Sequence, residues 1–424
     1  MSSARPLLLH GGVDASGARA DVRCDPATGR IAAVGARLAP AGDDEVLDCA
    51  GMVVVPAPAE PHAHLDKALS AAAAPNPAGD LAGAIAAWHA YRPSLTEDEI
   101  LGRARAAAHE LIAHGATAIR THVDVGPGIG LRGIAALAAL REELAEQGLA
   151  ALQIVALISP PLTGPEGEES RALLAAALAA GADVAGGCPH LDPDPAGATA
   201  AVLDAAEDAG TPIDLHTDET LNPRMLAVRD LARMVVERGF VSGAVASHCV
   251  ALGVQPPPVQ QAVARELADA GVAVVALPQT NLYLQARGEP VAPARGVTAV
   301  RALLDAGCVV AGGGDNVRDP FNCVGRADPL ETAALLVAAA HLTPEEAYTS
   351  VSAGARAAMG LEPVALAPGA PAELLAVRGT SLADAIARAS EHRFVIHAGR
   401  CVARTEVRGA LAPRSTVPSD PVLT

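Results

Sequence analysis

The densest chemistry in the chain is Pro61-His62-Ala63-His64-Leu65-Asp66-Lys67, directly after the apolar run at 52–59. Side chains alternate along a strand, so histidines two apart at a strand end point to one face. Two imidazoles aimed at one point begin a metal site. Other polar groups recur after later apolar runs: Arg120-Thr121-His122-Val123-Asp124, Pro189-His190, His216-Thr217-Asp218-Glu219, Ser247-His248 and Gly314-Asp315-Asn316. His62, His64 and His216 offer neutral nitrogens and Asp315 a hard oxygen. That set suits one divalent ion, Zn2+ or Fe2+, with a position left for water. Such an ion lowers the pKa of its water to about 7, so hydroxide is available at neutral pH. Glu219, three residues past His216, is placed to move protons. His248 is placed to orient the hydroxide or to meet the new charge on the attacked carbon. His122 and Asp124 either buttress the ligands or touch substrate. His190 reads as structural or as pocket wall. Lys67, the only lysine in the sequence, is either a substrate contact or a survivor of arginine-rich coding bias.

These residues need strands to carry them. Apolar runs fall near 52–59, 117–125, 152–159, 183–188, 212–217, 243–249, 272–279 and 308–313. Helical patterns with charged faces separate them, among them 97–114, 131–147, 224–238, 258–270 and 329–341. Eight strand–helix pairs predict a (β/α)8 TIM-type barrel over 56–361, with catalytic groups at the C-terminal strand ends. An open doubly wound sheet is the rival, but no Gly-x-Gly-x-x-Gly follows the first run. Gly312-Gly313-Gly314 is read as letting backbone approach the metal. Short strands with turns fill 1–55, and a similar texture returns over 362–424, so both ends are expected to build one small β-sandwich domain. The last dozen residues, rich in Pro and Ser, read as a loose tail.

Composition narrows the partners. The chain has 424 residues and a formal net charge of -17, with no basic patch, which excludes nucleic acid as a partner. No uninterrupted apolar stretch is long enough to span a bilayer. The seven cysteines are odd in number and none forms Cys-x-x-Cys. With no signal-peptide pattern over Met1–His10, the expectation is a reduced, cytoplasmic chain. The expected partner is a small heterocyclic molecule; homo-oligomerisation is left open.

The motifs together resemble the amidohydrolase superfamily, specifically its cytosine-deaminase-like branch, almost end to end. The resemblance rests on Pro61-His62-Ala63-His64-Leu65-Asp66, Arg120-Thr121-His122-Val123-Asp124-Val125, Leu152-Gln153-Ile154-Val155-Ala156, His216-Thr217-Asp218-Glu219, Ala246-Ser247-His248, Asn281-x-x-Leu284-Gln285-x-Arg287 and Asp315-Asn316-x-x-Asp319-Pro320. It implies His62, His64, His216 and Asp315 as ligands, and Glu219, His248 and Asp315 as catalytic groups. The reaction it implies is hydrolytic deamination of an amino-substituted nitrogen heterocycle. Lys67, His122, Ser159, Asn281, Gln285, Arg287, Asn316 and Phe321 become candidate substrate contacts. Relatives with two metals bridge them with a carboxylated lysine on strand four; Gly186-Gly187-Cys188-Pro189-His190 has none, so a single ion is expected.

Departures from the branch point away from cytosine. Where cytosine deaminases carry a glutamine after strand three, this chain has Ser159; their His before the strand-eight Asp is Gly314, their second Asp is Asn316, and their nearby tryptophan is Phe321. A serine cannot reproduce a bidentate amide contact. Pterins, substituted pyrimidines, triazines and creatinine-like rings are the candidates, with Lys67 or Arg287 available to an anionic substituent. The same chemistry on an N-alkylamino ring or a cyclic amide is the alternative. A binding barrel without catalysis is opposed by the intact Glu219, His248 and Asp315.

Overall fold

A computed structural model describes residues 5–410. The C-terminal tail read from the sequence, the last dozen residues, lies outside that range. Eight parallel strands form one sheet in sequence order: Glu60–Ala63, Ala118–Val125, Ala151–Ile158, Val184–Gly187, Ile213–Thr217, Ala244–His248, Ala273–Ala276 and Val310–Gly312. They are called strands one to eight below. Strand eight returns to strand one: Ala63 bridges Asp315 in parallel, the Asp315 N–H donates to the His62 carbonyl at 2.9 Å, and the His64 N–H donates to the Asp315 carbonyl at 3.2 Å. The sheet is thus a nearly closed (β/α)8 barrel. Its strands are buried on both faces, which explains their continuous apolar runs.

Helices cover the barrel for ordinary reasons. Thr96 and Glu99 form a reciprocal capping box at the start of Glu97–Ala113, and three acidic residues in the first turn complement the helix dipole. Ile100, Ala104, Ala107, Leu111 and Ile112 are buried on that helix. Their three- and four-residue spacing lays one stripe on the strands.

One reading of the apolar runs is corrected. Residues 52–59 are not a single barrel strand. Met52–Pro56 pairs antiparallel with Leu374–Arg378 in the other sheet, and the chain then crosses to Glu60–Ala63. That other sheet is mixed and eight-stranded. It joins Leu7–Val13, Arg19–Asp25, Arg30–Gly35, Glu45–Asp48 and Met52–Pro56 to Leu374–Arg378, Arg393–His397 and Arg400–Thr405 from the far end of the chain. Leu9, Val22, Ile31, Val54, Leu374 and Ile396 form its own buried core.

Candidate active site

Four side chains from strands one, five and eight converge at the C-terminal rim. His62 Nε2 and His64 Nε2 lie 3.2 and 3.1 Å from His216 Nε2. Asp315 Oδ1 lies 3.3 Å from His64 Nε2 and 3.8 Å from His62 Nε2. Ligand bonds of about 2.0–2.1 Å in a tetrahedral zinc site put ligand atoms roughly 3.3 Å apart. The observed edges match that spacing. Both Asp315 oxygens are buried without a hydrogen-bond partner among the described residues, as a pair waiting for a cation would be. The residues present therefore fit a divalent ion.

Protonation supports the same reading. Burial first, then neighbouring imidazoles, holds His62 and His216 well below the usual histidine range, so both are neutral. The hydrogen bonds also select the His62 tautomer. Ser247 Oγ donates to Asp214 Oδ1 at 2.9 Å, so it accepts from His62 Nδ1 at 2.9 Å. His64 Nδ1 lies between the His122 carbonyl at 3.2 Å and the Lys67 ammonium at 3.0 Å, which hold the ring in place. The His62 Nε2 lone pair is left facing the centre, the outer partner fixing the ring as in known metal sites. Arg120 closes the support by donating to Asp214 at 2.9 Å.

Glu219 and His248 stand beside this cluster. Burial, then the nearby Asp315, pushes the Glu219 carboxyl well above its ordinary value, favouring its protonated form. His248 Nδ1 is 3.5 Å from Glu219 and accepts from Asn281 Nδ2 at 3.1 Å. The ring proton then sits on Nε2, 4.0 Å from Asp315 Oδ2. Asp218, His248 and Asp315 all have left-handed backbone, with φ of 54°, 70° and 63°. Such strain in non-glycine residues is held only where surrounding structure enforces it, and it gathers at functional sites.

A pocket of about 140 Å³ opens over these groups. His64, Lys67, His216, Glu219, His248 and Asp315 reach it from the barrel. Ser159, His190, Asn316 and Phe321 line its walls. Burial pushes His190 down to about 4, so this ring too is neutral. The roof was not legible in the sequence. Helix Leu81–Tyr91 lies between strand one and the first covering helix, and turns Leu81, Ile85 and Trp88 onto the pocket. Trp88 Nε1 donates to Asp124 Oδ2.

Other expected contacts lie elsewhere. His122 is fully buried and stacks on His62 with ring centroids 3.8 Å apart, so it backs a cluster residue rather than the pocket. Asn281 is buried behind His248. Gln285 and Arg287 are moved out of the pocket wall. Helix Pro278–Leu284 ends at Gln285, and Arg287 folds back so that its guanidinium stacks on Tyr283 at 4.2 Å. Lys67 does line the pocket, but its charge is already matched. Nζ donates to Asp124 at 2.9 Å and lies 3.5 Å from Asp66. Burial opposes the ammonium form, yet these carboxylates win and raise the Lys67 pKa. The glycines of strand eight serve Glu60: a Cβ at Gly313 would lie 2.9 Å from Glu60 Oε1, and the Gly314 N–H donates to both Glu60 oxygens at 3.0 Å.

The amidohydrolase family profile matches residues 77–403. The chain belongs to the amidohydrolase family. A pterin deaminase of Rhizobium rhizogenes is 30% identical over 358 residues, covering 83% of this chain and 81% of the relative. A 5-methylcytosine deaminase from Klebsiella pneumoniae, solved with 5-fluorocytosine, superposes with a TM-score of 0.83 at 28% identity, covering 96% of this chain and 99% of that one. An N-isopropylammelide isopropylaminohydrolase from Burkholderia multivorans gives 0.79 at 30% identity, covering 94% and 98%. The chain is thus a hydrolase of the amidohydrolase family, with a histidine-rich cluster able to hold a metal ion. Among its described residues no helix is long and apolar enough to cross a membrane.

Proposed function

We propose that this amidohydrolase deaminates an amino-substituted nitrogen heterocycle, with a pterin-type ring as first candidate and cytosine disfavoured. The observation that carries the proposal is the convergence of three histidine ring nitrogens and Asp315 beside the buried Glu219 carboxyl in one small pocket. Similarity to the pterin deaminase over most of both chains supports the ring class. His62, His64, His216 and Asp315 would hold one divalent ion, Zn2+ or Fe2+. When bound, it supplies a Lewis acid that makes water acidic enough to attack at neutral pH.

The chain's own groups move the protons. Glu219 gives its proton to the ring nitrogen beside the amino-bearing carbon, which makes that carbon electrophilic. Asp315 receives one proton of the attacking water and passes it to the departing amine, and the second water proton returns to Glu219 as the carbonyl forms. His248 donates from Nε2 to the developing oxygen charge. Asn316 and Phe321 border the ring, and Ser159 replaces the glutamine expected for cytosine. Lys67 holds the wall through Asp124.

A second reading is release of an alkylamine from an N-alkylamino ring, favoured by similarity to the isopropylammelide enzyme and by the apolar roof residues Leu81 and Ile85. Product analysis of the metal-loaded protein over pterins, pyrimidines, triazines and creatinine-like rings decides between them. Ammonia supports deamination, an alkylamine supports the second reading, and no nitrogenous product from any ring sinks both.

A further inference from the structure

His190 follows strand four in the turn Pro189–Leu191 and is only 8% exposed. Its Nδ1 lies 3.1 Å from the His216 carbonyl. A carbonyl can only accept, so the ring proton sits on Nδ1 and Nε2 carries a lone pair. Nε2 is buried with no partner among the described residues, yet His190 lines the pocket. A buried acceptor left unmet on a pocket wall calls for a donor from the occupant.

Beside it lies a donor. Strands three and four pair in register with Ile158 opposite Gly187. Ser159 directly follows Ile158 and the turn bearing His190 begins two residues after Gly187, so both leave neighbouring strands at the same rim and line the same pocket. Arg92 Nη1 donates to Ser159 Oγ at 3.2 Å. The Ser159 oxygen is thus occupied as an acceptor, and its own hydrogen has no acceptor among the described residues. Arg92 is no free cation, since its guanidinium sits 3.5 Å from Asp124. Its role is to fix and polarise the serine. Gly126 makes room, because a Cβ there would lie 2.5 Å from Ser159 Oγ.

We propose that the Ser159 hydroxyl and His190 Nε2 form a donor–acceptor pair that reads the adjacent C=O and N–H of a lactam edge, making this an oxo-heterocycle pocket. The ring's carbonyl accepts from Ser159 and its N–H donates to His190. This deepens the deaminase reading by naming the class of ring. An analogue N-methylated at the lactam would leave His190 Nε2 buried and unpaired, and such loss carries a large discrimination.

Calorimetric titration of the metal-loaded full chain tests this without turnover. The probes are pteridin-4-one, which lacks an amino group to lose, and its 3-methyl derivative. The wild type should bind the N–H form at least ~10-fold more tightly, consistent with one buried hydrogen bond. His190→Leu should shrink that ratio below ~3-fold, while His190→Gln, which keeps an acceptor, should retain it. Ser159→Ala should weaken both probes by roughly 5-fold and leave the ratio unchanged, because both keep the carbonyl. Metal content is measured for every variant. A wild-type ratio near one, an unchanged ratio in His190→Leu, or unchanged affinities in Ser159→Ala overturns the proposal. If His190→Leu does not fold, the wild-type and Ser159→Ala results still decide. If the binding pattern holds but 2-amino-4-oxopteridine yields no ammonia, the deaminase reading fails and the lactam reading stands.

Discussion

Glu219 is buried beside Asp315, and burial first, then that neighbour, pushes its carboxyl well above the ordinary value. A carboxyl group raised in this way is suited to the general-acid role proposed for Glu219. Glu219→Gln keeps the shape and removes the transferable proton. It should lower kcat by about 10²–10⁴ while metal content by elemental analysis stays at the wild-type level. Turnover near wild type in a metal-loaded variant would place the proton shuttle elsewhere. Lys67 invites a different expectation from the one its solitude suggests. Its ammonium is paired with Asp124 and Asp66, so truncation leaves buried carboxylates short of a partner. Lys67→Met should cost about 3 kcal/mol of stability in urea titration of the metal-loaded protein. An unchanged urea midpoint would refute that account.

The strands were the most legible elements. Parallel barrel strands are apolar throughout, and the histidines stood where such runs ended, so the cluster could be read before any geometry. Crossings between sheets were less legible: Met52–Pro56 and Glu60–Ala63 are both buried, and only Pro56 and Pro58, which cannot donate to a ladder, mark where the chain changes partner. The roof helix Leu81–Tyr91 was missed because its residues are almost all small or apolar, with too little polar face to show a helical period. Gln285 and Arg287 follow Asn281 in one motif, but the helix ends between them and turns them away. The seam of strands one and eight carries a pH signature. Burial raises the Glu60 carboxyl to about 8, against about 4.3 in an unfolded chain. The folded state therefore holds the extra proton between those values. Stability from this group is present at acid pH and falls as pH rises from about 4.3 through 8. Glu60→Gln should flatten that part of the stability profile, gaining on the wild type at pH 8 relative to pH 5. Parallel urea midpoints for the two proteins across that range would remove Glu60 as the cause.

At the scale of the molecule, the sheet built from both chain ends is locked to the barrel by one fully buried guanidinium. Arg393 opens the strand Arg393–His397, and its two terminal nitrogens donate to Asp328 at 2.9 and 2.7 Å. The same side chain donates to the carbonyls of His114, Ala389 and Ser390. Asp328 in turn caps helix Pro329–Ala340 by accepting from the Leu330 N–H at 2.9 Å. One ion pair thus joins the C-terminal strands, the end of the first covering helix and the start of a late one. A pair this buried is costly to break from one side, because the remaining charge keeps its desolvation penalty without its partner. Arg393→Met should therefore lower stability by about 3–5 kcal/mol. Arg393→Met with Asp328→Leu should cost less than the sum of the two single changes, the difference measuring their coupling. Neither residue lines the pocket, so kcat per folded, metal-loaded molecule should stay at the wild-type value. Activity lost in proportion to metal at a temperature where the protein remains folded would instead mean that the clamp holds the ligand geometry itself.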